Sequence, residues 1–274
     1  MFEFALIAGL SVAASLTVPT GAVDDIRDRV SKGNPTNGLC RFISYDANVG
    51  KGKFVINTNF WLRGVDFSCV SPWNSAGGRF RAGTAISKRH IIFAKHLPMG
   101  KGTKIVFTDD VIGECPCRIA DTRSIDKSDI MIGLLDYELT PNIKPAKILP
   151  PNFTNYIGTA KGMPVITFNQ NEEAILSSAA SLPDSRRYSH WFSEKPKDVS
   201  MAAYWKPIAK GDSGNPAFLL VNNEPILIYC LWGIGCWSGT GPAIHNFRRQ
   251  IQKTMDELCP GYKLEMFDFE KVAK

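Results

Sequence analysis

The sequence has one long apolar run, Phe4–Val18, and no second one. No later stretch is long enough to cross a bilayer, which excludes a helical protein with several membrane spans. A collagen-like glycine period and a visible internal repeat are also missing, so filaments and repeat arrays are excluded. Charged residues are only 21% against 44% apolar, which is not the balance of a disordered chain. Cysteines number seven, so intrachain pairing cannot be complete. Cys115-Pro116-Cys117 has no second cysteine pair at zinc-like spacing and no nearby histidines, so no metal is expected. Cys230 and Cys236 either bridge a loop or stay as buried thiols. The net charge of +6 is scattered, which fits a solvated surface better than a nucleic-acid partner.

With 274 residues the chain can bury a core of its own and has room for about two domains. Residues 1–22 read as a signal peptide or apolar leader, with small residues at Gly21-Ala22 and no positive charge before the run. A secreted or periplasmic location follows; an intracellular or membrane-tethered one is the alternative. Residues 23–39 are charged and then rich in Gly, Pro and Asn, the composition of a linker or propeptide. The following apolar runs are short, β-branched or aromatic, and bounded by turn residues. They include residues 54–57, 83–86, 90–94, 104–108, 117–120, 130–135, 164–168, 216–221 and 225–232. Strands at this density predict an all-β sandwich or barrel. Pro150-Pro151 divides residues 40–150 from 151–260, and 261–274 read as a tail. Ile244, Phe247, Ile251 and Met255 recur at helical spacing and predict an amphipathic C-terminal helix.

The sharpest string is Gly211-Asp212-Ser213-Gly214-Asn215-Pro216. A serine hydroxyl is a poor nucleophile and needs an exposed, tight turn beside a base. Flanking glycines permit that turn and a close approach of substrate. The amides of Gly211 and Ser213 are placed to hold a developing oxyanion. Among the four histidines, His96 follows a strand-like run and precedes a Pro/Gly loop, a good platform for a base. His90, His190 and His245 read as structural. Asp129 opens the buried run Ile130–Leu135 and invites a histidine N–H, with Asp126 and Asp136 as alternatives.

In the order His96, Asp129, Ser213 the chain resembles the chymotrypsin-like (trypsin-fold) serine proteases over residues 75–257. Ala94-Lys95-His96, Ser128-Asp129-Ile130-Met131, Gly211–Pro216 and Leu231-Trp232-Gly233 carry the likeness. The resemblance implies two antiparallel six-stranded β-barrels packed together, with a C-terminal α-helix and the active site between the barrels. It implies a serine endopeptidase acting through His96, Asp129 and Ser213, with Gly211 and Ser213 as the oxyanion hole. Pro207, Leu231, Trp232 and Gly233 would contact a protein or peptide substrate, and no cofactor is implied.

The departures from the family are specific. No Ile-Val-Gly-Gly-like segment precedes the first barrel, so Asp212 lacks the partner that zymogen members give it. Leu231 stands for a serine that helps hold the catalytic acid. Leu97 and Ala209 stand for cysteines. Pro207, six residues before Ser213, is not an acid, which argues against selection of Arg or Lys. A catalytically silent binding module with this fold is the alternative, motivated by Leu231, Lys95 and the missing activation segment.

Overall fold

The computed structural model describes residues 20–44, 54–73, 82–109, 113–158, 160–181, 190–235 and 238–271. The apolar run Phe4–Val18, the leader boundary at Ala22 as a side chain, and Cys236 lie outside what can be described. Among the described residues no helix is long and apolar enough to cross a membrane.

The chain begins with α1 (Thr20–Lys32) and the short α2 (Pro35–Gly38). A two-stranded ribbon follows, β1 (Phe42–Ser44) with β2 (Val55–Ile56). The first sheet holds β3 (Thr84–Ala85), β4 (His90–Ala94), β5 (Lys104–Asp109), β6 (Gly113–Ser124) and β7 (Ile130–Leu135), in the order β3-β4-β7-β6-β5. Next come β8 (Lys147–Ile148), α3 (Thr154–Ile157), β9 (Pro164–Phe168), β10 (Ala174–Ser181), β11 (His190–Glu194) and α4 (Val199–Ala202). The chain continues through β12 (Pro216–Val221), β13 (Glu224–Cys230), β14 (Gly233–Gly235) and β15 (Ser238–Pro242). A turn of 3-10 helix over Ile244–Phe247 then leads into α5 (Arg248–Leu258).

The fold is mostly β, as expected. Its described strands form sheets of five and eight, rather than two sets of six. The second sheet runs β14-β15-β11-β10-β9-β12-β13-β8 and is antiparallel except where β8 joins β13 in parallel. Edge strands β14 and β8, of three and two residues, account for its extra width.

Strands β9 and β12 are buried along their whole length because alternate residues serve two cores. Ile166, Phe168, Phe218 and Leu220 join a cluster that also holds Ile91, Phe93 and Ile132 of the first sheet. Val165, Ala217, Leu219 and Val221 point into a second cluster with Trp191 and Ile228. Phe67 bridges the halves, with its ring 5.0 Å from Phe168 and 5.6 Å from Phe218. Burial of each such ring contributes roughly 1.5–3 kcal/mol. Asn222 and Asn223, at φ 49° and 61°, form the tight hairpin turn between β12 and β13.

Two segments differ from their compositional reading. Residues 23–39 are not an irregular linker: α1 buries Ile26 and Val30, one helical turn apart, and Tyr204 Oη donates to the Val30 carbonyl at 3.2 Å. The described part of 261–274 is not a loose tail. It buries Leu264, Phe267 and Phe269 and hydrogen-bonds along β8, with Phe267 N donating to Ile148 O at 2.9 Å. Since β8 already belongs to the second sheet, the crossing between halves precedes Pro150-Pro151. The expected terminal helix is present, and Ile244, Phe247, Ile251 and Met255 are all buried.

Candidate active site

Strands β4 and β7 are antiparallel neighbours in which Ala94 faces Ile130. That register brings the end of β4 to the start of β7, so His96 and Asp129 emerge side by side. The Lys95 amide donates to the Asp129 carbonyl at 3.0 Å. Asp129 then takes His96 at two points. Its Oδ1 accepts the His96 backbone amide at 2.9 Å, and its Oδ2 lies 2.6 Å from His96 Nδ1. The Asp129 side chain is 13% exposed and that of His96 36%. One carboxylate therefore fixes both the backbone and the ring, and Nε2 has no hydrogen-bond partner among the described residues. Asp126 and Asp136, the alternative acids, are exposed; Asp136 accepts the Arg118 amide at 2.9 Å instead.

Ser213 sits in the turn before β12. Gly211 and Gly214 take φ values of 108° and 86°, which side-chain-bearing residues rarely adopt. The Asp212 amide donates to Ala209 O at 3.1 Å, and the Asn215 amide to Asp212 O at 3.2 Å. The amides of Gly211 and Ser213 have no acceptor among the described residues, while those of Asp212, Gly214 and Asn215 each have one. An oxyanion site requires N–H donors that are not already spent on the fold, and these two amides meet that condition among the described residues.

Asp212 is itself 1% exposed. Its Oδ2 accepts the Ala209 amide at 2.7 Å and its Oδ1 the Gln170 amide at 2.9 Å. Burial raises its pKa above the ordinary carboxylate value, against the lowering effect of those two amides. Asp212 is thus satisfied by backbone, without an ammonium group. Gln170 had no signal in the sequence, because any residue can supply an amide.

The turn is tied to the end of β13. Gly214 N donates to Leu231 O at 2.7 Å, and Leu231 N to Asn215 O at 2.8 Å. Gly214 also packs against the segment that carries His96: a Cβ placed on it would lie 3.8 Å from Ala94 Cβ and 3.9 Å from Leu97 Cδ1. The serine turn of the second half therefore abuts the residues flanking the histidine of the first. Asn215, where the family has glycine, is fully buried, and its side-chain amide has no partner among the described residues.

Beyond the turn, Leu231 is buried and Trp232 is 48% exposed. The Trp232 amide is taken by Thr240 O at 2.8 Å, and Gly233 opens β14 opposite Thr240. Pro207 is exposed on the segment leading to the turn. His190, read as structural, lies closer to the site than expected. Its ring is 5.2 Å from that of Trp232, and its pKa is lowered by burial while the charge of Asp129 opposes that shift. His90 and His245 are buried, the first against Ser87 and the second against Phe153 and Trp191.

Cys69, Cys115, Cys117 and Cys230 are buried free thiols, and burial pushes Cys69, Cys117 and Cys230 up to about 12. No group of three or more metal-ligating side chains gathers among the described residues. Comparison with models of known protein families gave no match, and no curated protein matches the chain.

Proposed function

We propose that the chain is a serine endopeptidase built on two chymotrypsin-like β-barrels, with the C-terminal helix α5 packed beside them. One observation carries the reading. The Asp129–His96 pair is closed at 2.6 Å, and the residues flanking that histidine, Ala94 and Leu97, would lie 3.8 and 3.9 Å from a Cβ placed on Gly214 in the serine turn, whose Gly211 and Ser213 amides have no acceptor among the described residues. Ser213 Oγ attacks a peptide carbonyl, and His96 Nε2 takes its proton. Asp129 holds the Nδ1–H tautomer and stabilises the imidazolium. The Gly211 and Ser213 amides receive the oxyanion, an effect of about 3–4 kcal/mol for a single donor. The imidazolium then protonates the leaving amine, and water resolves the acyl-enzyme by the same steps in reverse order. No cofactor and no metal is part of this proposal.

The substrate is a protein or peptide. Its backbone lies along Leu231–Gly233, with Trp232 as one wall of its binding site. Pro207 removes the carboxylate that would select a cationic side chain, so a small or apolar residue is preferred at the cleaved position. A peptide-library profile dominated by Arg or Lys rejects that preference. Export is proposed on the apolar run Phe4–Val18, with an intracellular or membrane-tethered location as the alternative.

The test is fluorophosphonate labelling of the purified chain with peptide hydrolysis in parallel. The wild type is expected to label and to cleave. Ser213→Ala is expected to do neither while melting at the same temperature. A folded wild type that neither labels nor cleaves supports the binding-module alternative.

A further inference from the structure

The structure assigns Asn169 a positioning role for the Ser213 turn, exerted through Gln170 and Asp212; this rests on the endopeptidase reading. Asp212 is held by two amides of different origin. Ala209 belongs to the same turn, whereas Gln170 comes from 42 residues earlier in the chain. The first bond shapes the turn; the second ties its Asp212 side to the loop between β9 and β10, as the bonds to Leu231 tie its Gly214–Asn215 side to the end of β13.

What places the Gln170 amide is the loop between β9 and β10, and Asn169 organises that loop. Asn169 Oδ1 accepts the amides of Asn171 at 2.9 Å and Glu173 at 3.0 Å. Its Nδ2 donates to Glu173 Oε2 at 2.7 Å. Its own amide and carbonyl close the loop through Glu173 O and the Glu172 amide, at 3.2 and 3.0 Å. Asn169 is 7% exposed, and every one of these bonds stays within the loop.

The loop is gripped on both flanks. On one side the N-terminal segment is sewn to it: Arg41 N donates to Glu172 O and Ala174 N to Leu39 O, each at 2.9 Å, and Trp73 N donates to Glu172 Oε1 at 2.7 Å. On the other side Glu173 pairs with Lys206, on the irregular segment leading into the serine turn. The Gln170 side chain also reaches that segment, donating to Lys210 O at 3.4 Å, and lies beneath Gly211. A shift of the loop therefore moves Asp212, and with it the two unpaired amides. Displacements of about 1 Å at such a site cost on the order of 10²-fold in rate.

The experiment uses the full chain and counts active sites by fluorophosphonate titration. Asn169→Ala is expected to lower kcat for each titrated site by about 10–100-fold, with KM within about twofold of wild type. The double variant N169D/E173Q reverses the polarity of the Asn169–Glu173 bond and keeps the Oδ1 acceptor. It is expected to recover kcat to within a few-fold of wild type. A residue needed only for folding would reduce the number of titratable sites and leave kcat for each of them unchanged, which overturns the proposal. A folded double variant no faster than Asn169→Ala overturns it too. Should Asn169→Ala not fold, Glu173→Ala breaks the same bond from its other end, and an unchanged kcat there has the same force. A wild type without labelling or cleavage marks failure of the endopeptidase reading itself, and the positioning role falls with it.

Discussion

Asp129 grips His96 through both carboxylate oxygens, Oδ1 on the backbone amide and Oδ2 on the ring Nδ1. Both contacts require an acceptor, so Asn at 129 cannot reproduce them. If its oxygen keeps the amide, its NH₂ group faces Nδ1 and forces the proton onto Nε2. Nε2, the atom proposed to take the serine proton, is then a donor and cannot act as base. Asp129→Asn is expected to lower kcat at neutral pH by about 10³–10⁴-fold, with little change in melting temperature. Retention of more than about a tenth of the wild-type kcat removes Asp129 from the mechanism.

Gly211→Ala tests the turn itself. At φ 108° a side chain is strained, and the new Cβ would lie 2.7 Å from Gln170 Oε1. Backbone strain alone is of the order of 1–3 kcal/mol. Relief by rotation of the peptide that carries the Gly211 amide would take the proposed oxyanion donor out of place. A drop in kcat of about 10²-fold or more is expected, larger than the accompanying rise in KM. An equal loss in both parameters from a fully folded enzyme contradicts the role given to this amide.

The three residues given the chemistry were legible because each lies in a short local pattern: a strand end before a loop, an acid before an apolar run, a serine between glycines. Strands β4, β7, β9 and β12 were legible to the residue, since apolar residues dominate their runs. Strands β10 and β15 were not: AILSSAAS and SGTGP are rich in small residues whose strand character comes from their neighbours. Helix α1 was hidden because, among its described side chains, only Ile26 and Val30 mark a buried face. The partner of Asp212 was unreadable for a different reason. Backbone amides carry no sequence signature, and the one that matters is placed by side chains next to it rather than by its own.

Glu172 should make stability depend on pH. Burial raises its pKa from 4.5 to about 7, with the Trp73 amide and Arg41 opposing the shift. Between those values the native state binds more protons than the unfolded one, so stability falls as pH rises through this window. The loss is at most about 3 kcal/mol. Its Oε1 accepts the Trp73 amide, a bond glutamine can also accept, and its Oε2 is buried without a partner among the described residues. Glu172→Gln is therefore expected to flatten the decline in melting temperature between pH 5 and pH 8. Parallel curves for the two proteins rule the effect out.

His245 acts in the opposite direction. Its ring lies 4.9 Å from that of Phe153 and 6.1 Å from that of Trp191, and burial lowers its pKa from 6.5 to about 4. The native state then binds fewer protons than the unfolded one, so stability present above pH 6.5 is lost as pH falls towards 4. Phenylalanine fills a similar space and carries no proton. His245→Phe is expected to melt higher than wild type at pH 5 and near it at pH 8. A difference that is the same at both pH values would show that packing, not titration, decides the outcome.

Gly241 shows where the second sheet tolerates no side chain. A Cβ there would lie 2.1 Å from the Cys230 carbonyl oxygen and 2.7 Å from Tyr229 Cδ2. The first of these is backbone, one residue from Leu231, and cannot swing aside. Strand β15 must instead back away, carrying Thr240 and the carbonyl that receives the Trp232 amide at 2.8 Å. Gly241→Ala is expected to cost about 2–4 kcal/mol in denaturant unfolding, in the range of severe core overpacking. Because Trp232 moves with Thr240, KM for peptide should rise more than kcat falls. Gly100 is the control, since a Cβ there meets nothing within 4 Å; Gly100→Ala should leave stability within about 1 kcal/mol of wild type. Equal denaturation midpoints for the two variants would mean that β15 lies farther from β13 than the contact at Cys230 requires.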